Sequence, residues 1–163
     1  MKLAPLLACL LLSSAQLQAE GLQNVALQQL LLAPQAPDGV VFEIMAWEDR
    51  TWDWAAPLLR RYVDQLREKY PGLDIVLISQ GAELFDLARR AGLQETPALR
   101  QLARLVEEGV SIYISGDYAK WKRLEEKDFI DFVDLAESSS ALLEDYIELG
   151  FVPIKLEPLD GID

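Results

Sequence analysis

Apolar residues follow two alternating rhythms along this chain. Val40 to Met45 is an apolar, β-branched run of strand length, broken by Glu43. From Thr51 to Tyr70 the spacing becomes helical. Leu58, Leu59, Tyr62, Val63 and Leu66 form one stripe, with Arg60, Arg61, Asp64, Arg67 and Glu68 opposite, and Pro71-Gly72 ends the helix. Leu73 to Ser79 reads as a second strand and Gly81 to Ala91 as a short helix ending near Gly92. Thr96-Pro97 supplies an N-cap and a first helical position for a helix whose stripe is Leu99, Leu102, Leu105 and Val106, stopped by Gly109. Val110 to Ser115 is a third strand, Asp117 to Leu124 a short helical segment, and Phe129 to Leu135 a weaker fourth strand. Ser138 to Ser140 offer N-caps for a helix running to Leu149, closed by Gly150, and Phe151 to Leu156 is a last strand.

Strands that alternate with helices imply right-handed crossovers and a parallel sheet covered on both faces. The pattern predicts an α/β fold, a three-layer sandwich with a mostly parallel five-stranded sheet. By analogy with flavodoxin-like folds the expected strand order is 2-1-3-4-5. That order puts a topological switch point between the first and third strands, and open α/β sheets bind ligands at the carboxyl ends beside such a point. The ends concerned are Ala46 to Asp49 and Ser115 to Asp117, with Gln80-Gly81 next to them.

The flanks read differently. Residues 1–19 carry Lys2, an apolar run from Leu3 to Leu12 and a small-residue end at Ala15 or Ala19, the pattern of a signal peptide cleaved after Ala19 or, alternatively, Ala15. The run is too short to span a bilayer. Leu6 to Cys9 looks like a lipoprotein cleavage site but comes too early to leave a hydrophobic segment. Residues 20–38 form a lead-in, with Leu27, Leu30 and Leu31 at helical spacing in a Gln-rich stretch before Pro34 and Pro37; a short, poorly anchored helix and a linker are expected. Residues 39–156 make the α/β domain, and 157–163 an acidic tail. The expected location is the periplasm or outside the cell.

Composition narrows the chemistry. The chain has 15 basic and 27 acidic residues, one cysteine and no histidine. Loss of residues 1–19 would remove Lys2 and Cys9, so 14 basic residues against 27 acidic give −13. Such a surface repels phosphate backbones and anionic lipid, so neither nucleic acid nor a membrane is an expected partner. With Cys9 gone no disulfide can form, and packing alone must hold the domain.

Four stretches carry a family resemblance: Val40 to Ile44 followed by Trp52; Ile75 to Gly81; Gly109 to Asp117; and Leu143 to Leu156. Together they resemble the DsrE/DsrF-like family of sulfur-relay proteins across nearly all of residues 39–156. The resemblance implies a small α/β domain that assembles into trimers or hexamers. It also implies, in many members, a cysteine at the end of the third strand that carries sulfur as a persulfide. The matching position here is Ser115, and Glu43 stands where some members have a histidine. A hydroxyl cannot hold sulfane sulfur and is far harder to deprotonate than a thiol.

The candidate catalytic residues are therefore Glu43, Ser115 and Asp117, and the candidate ligand site adds Trp47, Gln80, Gly81 and Gly116. Ser115 as a nucleophile needs a base, and with no histidine Lys120 is the remaining candidate; as an N-cap it needs only the helix behind it. Glu43 in an apolar strand is either a buried carboxylate with partners among Ser115, Gln80 and free amides, or a group facing a solvated cleft. Glu43, Glu48, Asp49 and Asp117 have the oxygen chemistry of a hard-cation site but no compact loop motif, so neither metal nor cofactor is expected. Trp47, Trp52 and Trp54 crowd one loop and helix start, and at least one should belong to the core, while Tyr118 and Trp121 flank the pocket on the other side. The expected function is that of an exported, non-catalytic DsrE-like binding protein, associated with a sulfur- or redox-related system through an exported protein partner or a small ligand. The alternatives are an enzyme using Glu43 as acid or base, and a purely structural oligomer.

Overall fold

The computed structural model describes residues 24–89 and 95–159. The signal-like segment, the helix end near Gly92 and residues 160–163 of the acidic tail lie outside them. In chain order the elements are α1 (Val25–Leu32), β1 (Gly39–Ile44), α2 (Thr51–Lys69), β2 (Asp74–Ser79), a 3-10 turn (Ala82–Leu87), α3 (Pro97–Glu107), β3 (Val110–Ser115), α4 (Gly116–Trp121), a second 3-10 turn (Glu126–Asp128), β4 (Asp134–Ala136), α5 (Ser139–Glu148) and β5 (Phe151–Lys155). All five strands are parallel, and helices flank the sheet on both sides, as the periodicity predicts.

The strand order is β4-β3-β2-β1-β5, not 2-1-3-4-5. β2 separates β1 from β3, so those two strands share no crevice. The reason lies in the strands' own residues. Ile75, Val76, Leu77 and Ile78 are all buried, so β2 is covered on both faces and fits the centre of a parallel sheet. The edges go to β4, which is three residues long, and to β5, whose Pro153 has no N–H to donate and is tolerated at an edge. From β1 to β4 each connection steps the same way along the sheet, and right-handed crossovers put α2, α3 and α4 on one face. The connection from β4 to β5 returns across the sheet and puts α5 on the other.

Alternation then divides the strands between two cores. Val40, Phe42, Ile44, Ile75, Leu77, Ile112, Ile114 and Ile154 pack under α1, α2 and α3. Val41, Val76 and Ile78 face α5, met by the half-buried Leu142, Leu143, Tyr146 and Phe151. Burial and a bond with Tyr113 hold the Tyr146 phenol well above its ordinary range. On the first face Arg60 clasps α2 to α3, pairing with Asp64 and with Glu108, the latter at 2.6 Å.

Three expectations change. The stretch from Phe129 is not strand as far as Asp134. Ile130 N–H donates to the Leu87 carbonyl at 3.0 Å and Arg89 N–H to that of Asp128 at 2.6 Å, so this backbone is spent on the segment after the first 3-10 turn. The predicted helix from Gly81 is a 3-10 turn that ends at extended Ala88, which bridges to Phe129. The lead-in helix is well anchored. Asn24 caps α1 and donates to the Lys155 carbonyl at 2.7 Å, and the Tyr70 hydroxyl reaches the carbonyls of Leu30 and Ala33. Leu27 is fully buried. Leu27→Ala should therefore cost about 2–5 kcal/mol of global stability, as other deletions of buried leucine do. Chemical denaturation measures this, and a loss below about 0.5 kcal/mol would mean that α1 is only loosely held.

Candidate functional site

The carboxyl ends of β1 and β2 continue side by side beyond the strands. Gln80 N–H donates to the Ile44 carbonyl at 2.9 Å and Ala82 N–H to that of Ala46 at 2.7 Å. The two chains approach so closely that a Cβ on Gly81 would lie 2.5 Å from the Ala46 oxygen, so the position requires glycine. Beyond those two bonds the N–H groups of Ala46 and Gly81 are left without a backbone acceptor.

Glu83 satisfies them. Its side chain folds back from the 3-10 turn and is almost completely buried. One carboxylate oxygen accepts from the Ser79 hydroxyl at 2.7 Å, from Gln80 N–H at 3.0 Å and from Gly81 N–H at 2.9 Å. The other accepts from Ala46 N–H at 2.8 Å. Four donors surround a group that when ionised only accepts. The Trp52 indole donates to the Glu83 carbonyl at 2.9 Å, which ties α2 to the same point. Among the described residues no cationic side chain pairs with this carboxylate. Glu83 was not among the residues singled out from sequence. The available signal was local: a carboxylate four residues after the last strand residue, Ser79, close enough to turn back on the amides that follow it.

The predicted residues fall into two groups around this latch. Glu43 shares the α5 face with Val41. It is half-buried, and its carboxylate accepts from the Gln80 side-chain amide at 3.3 Å, while Ser139, in the first turn of α5, donates to the Gln80 oxygen at 3.5 Å. Lys155 is its exposed register neighbour on β5. The second group lies at the end of β3. Ser115 is buried and its hydroxyl caps α4, accepting from Tyr118 N–H at 3.4 Å. Gly116 is packed so tightly that a Cβ would sit 2.4 Å from the Ala136 oxygen, and Asp117 is exposed. The loop after β1 reaches this group through Trp47, whose ring meets Tyr118 edge-on at 5.6 Å. Trp52 is the member of its cluster that belongs to the core. Glu43, Glu48, Asp49 and Asp117 do not gather: among the described residues no three carboxylates form a metal-binding group.

A cleft of about 460 Å³ lies between α2, α3 and the first 3-10 turn, lined by Asp49, Arg50, Trp52, Phe85, Thr96 and Leu99 among others. It includes none of the ligand-site residues predicted from sequence, although Asp49 and Trp52, singled out there as a cation-site candidate and a clustered aromatic, line it. Chemically, the strand ends offer a capped serine, a carboxylate held by an amide, and a second carboxylate already saturated with donors.

No family model matches the chain, and no curated protein matches it. Solved structures do. A protein of unknown function, MTH1491 from Methanobacterium thermoautotrophicum, is similar with a TM-score of 0.59 at 19% identity, over 72% of this chain and 97% of its own. The ychN protein from E. coli follows with 0.53 at 14%, over 72% and 99%. A conserved protein of unknown function, BT1422 from Bacteroides thetaiotaomicron, gives 0.50 at 14%, over 71% and 94%. These are proteins of the DsrE/DsrF-like fold, and at such identities the likeness is one of fold.

Glu83→Gln tests the latch. The amide would turn an N–H₂ toward an N–H donor, so the variant should lose about 2–4 kcal/mol despite its unchanged size. Denaturant titration measures the loss; a variant as stable as the parent would show that the four contacts carry no net stability.

Proposed function

We propose that this is an exported, DsrE-like protein that works by binding rather than catalysis, self-associates, and serves a sulfur- or redox-related system through a protein partner or a small ligand. One observation carries the reading. The residue aligned with the family's reactive thiol is a buried serine whose hydroxyl is engaged in capping α4. A nucleophile needs a base within reach, and the chain contains no histidine. Within this reading Glu83 favours the protein partner over the small ligand, because the amides at the ends of β1 and β2 that would cradle a ligand are already taken.

Self-association draws support from the uneven cover of the sheet. A single helix, α5, packs on the face that carries Val41, Val76 and Ile78, and its end leaves Ile147 and Leu149 exposed. Apolar groups at the margin of a thinly covered face suit an interface. The expected number, a trimer or a multiple of it, comes from the family resemblance. Export is supported by the order of charge, apolar run and small residues in 1–19.

Three outcomes are expected. Protein recovered from the periplasmic fraction should begin near Glu20 and gain no sulfur atom on incubation with a persulfide donor, both read by mass spectrometry. A stable sulfur adduct would overturn the non-catalytic reading, and retention of Met1 in the cytoplasm would overturn export. Self-association should tighten as salt rises, because each exported copy would carry −13 and salt screens such repulsion over about 8–10 Å. Light scattering in low and high salt decides it, and a strict monomer in both would refute assembly.

A further inference from the structure

We propose that the outer side of α1 is a contact surface for a second copy of this chain, the two helices meeting antiparallel about a two-fold axis. The proposal rests on the self-association read above and adds a contact to the one at the end of α5. From Gly21 to Pro37 the sequence contains no charged residue, although 26% of the chain is charged. Among the described residues of that stretch, Val25, Gln29 and Leu32 on α1 and then Pro34, Gln35 and Ala36 are exposed. The first three recur at i, i+4 and i+7 and therefore form one line along the helix. Val25 is 70% and Leu32 81% exposed, more than any other large apolar side chain among the described residues.

The line is fixed before any partner arrives. A helix of eight residues is marginal by itself, and this one is held from behind. Leu27 and Leu30 are buried, Asn24 ties its start to Lys155, and the Tyr70 hydroxyl ties its end to α2. Covering Val25 and Leu32 thus removes apolar surface from water without first ordering the backbone that carries them.

Charge selects the occupant. Two copies repel wherever their carboxylates face one another, but the line along α1 brings none. The charged residues that border the stretch include both signs: Lys69 and Lys155 against Asp38, Asp74 and Glu157. A basic partner would find no carboxylate on the line, and a lipid surface would find no cation to hold its headgroups. A second α1 does match it. About a two-fold axis Val25 of each copy lies opposite Leu32 of the other, aliphatic on aliphatic. Gln29, near the centre, meets its own counterpart, and a side-chain amide that both donates and accepts is its own complement. Such a contact is isologous: it pairs two copies and then closes, so it doubles whatever assembly the α5 contact builds.

The test uses the chain from Glu20 onward, which contains no cysteine. Leu32→Glu should leave the circular-dichroism spectrum unchanged and roughly halve the mass measured by light scattering. Gln29→Cys places a single thiol beside the axis. Because a disulfide needs Cα atoms within about 7 Å, linking of two copies on mild oxidation reads the contact directly and does not depend on how Leu32→Glu folds. Gln29→Cys should link about tenfold faster than Arg100→Cys, an exposed position on α3, and adding Leu32→Glu should remove the advantage. Equal linking at the two positions would overturn the proposal, as would an assembled parent whose mass Leu32→Glu leaves unchanged. If Ile147→Glu lowers the mass and Leu32→Glu does not, self-association stands through α5 alone and the α1 contact is rejected. A parent that is monomeric at every concentration defeats the self-association reading itself, so the two failures are separable.

Discussion

The carboxylate of Glu83 is the constraint on which the functional end of this domain depends. Two adjacent parallel strands end with the amides of Ala46 and Gly81 directed at the same small space, beyond the bond by which Ile44 satisfies Gln80. A water could not supply acceptors to the Ser79 hydroxyl and the amides of Gln80, Gly81 and Ala46 at once, but a carboxylate can. The same residue's carbonyl fixes Trp52, so the start of α2 and the loops after β1 and β2 are set by one side chain and its backbone. In many open α/β sheets this position holds an exogenous anion. Here the protein's own carboxylate is the anion, which directs attention away from the crevice and toward the surface around it.

That surface is shaped by the uneven covering of the sheet. α1, α2 and α3 bury one face under a large continuous core, and α5 alone attends to the other. Glu43, Gln80 and Ser139 form a polar row where α5 begins. An amide and a hydroxyl hold the Glu43 carboxylate's surroundings in place.

The aromatic residues sort themselves by the same logic. Trp52 entered the core because its indole nitrogen found a buried carbonyl, the condition for burying that ring. Among the described residues Trp47 and Trp121 have no such acceptor, and they remain outside, Trp47 edge-on to Tyr118 and Trp121 stacked on it. The exposed Trp121 ring lies beside the Lys122 ammonium, 4.3 Å from its centre.

Local pattern alone determined the elements and much of their chemistry. Apolar spacing located β1, β2, β3 and β5 and helices α2, α3 and α5; Thr96, Ser115 and Ser138 were legible as caps because a cap depends on residues three positions away. The strand order was decided by tertiary structure, because neighbours in a parallel sheet are separated by whole helices and no local spacing records them. β2 took the centre because all four of Ile75 to Ile78 had to be covered on both faces. The short β4 arose because the backbone before it bonds to Leu87 and Arg89, some 40 residues earlier in the chain. Glu83 became the keystone of the site for the same reason: three of its donors lie within four residues, but the fourth, Ala46, is 37 residues away and arrives only when β1 pairs with β2.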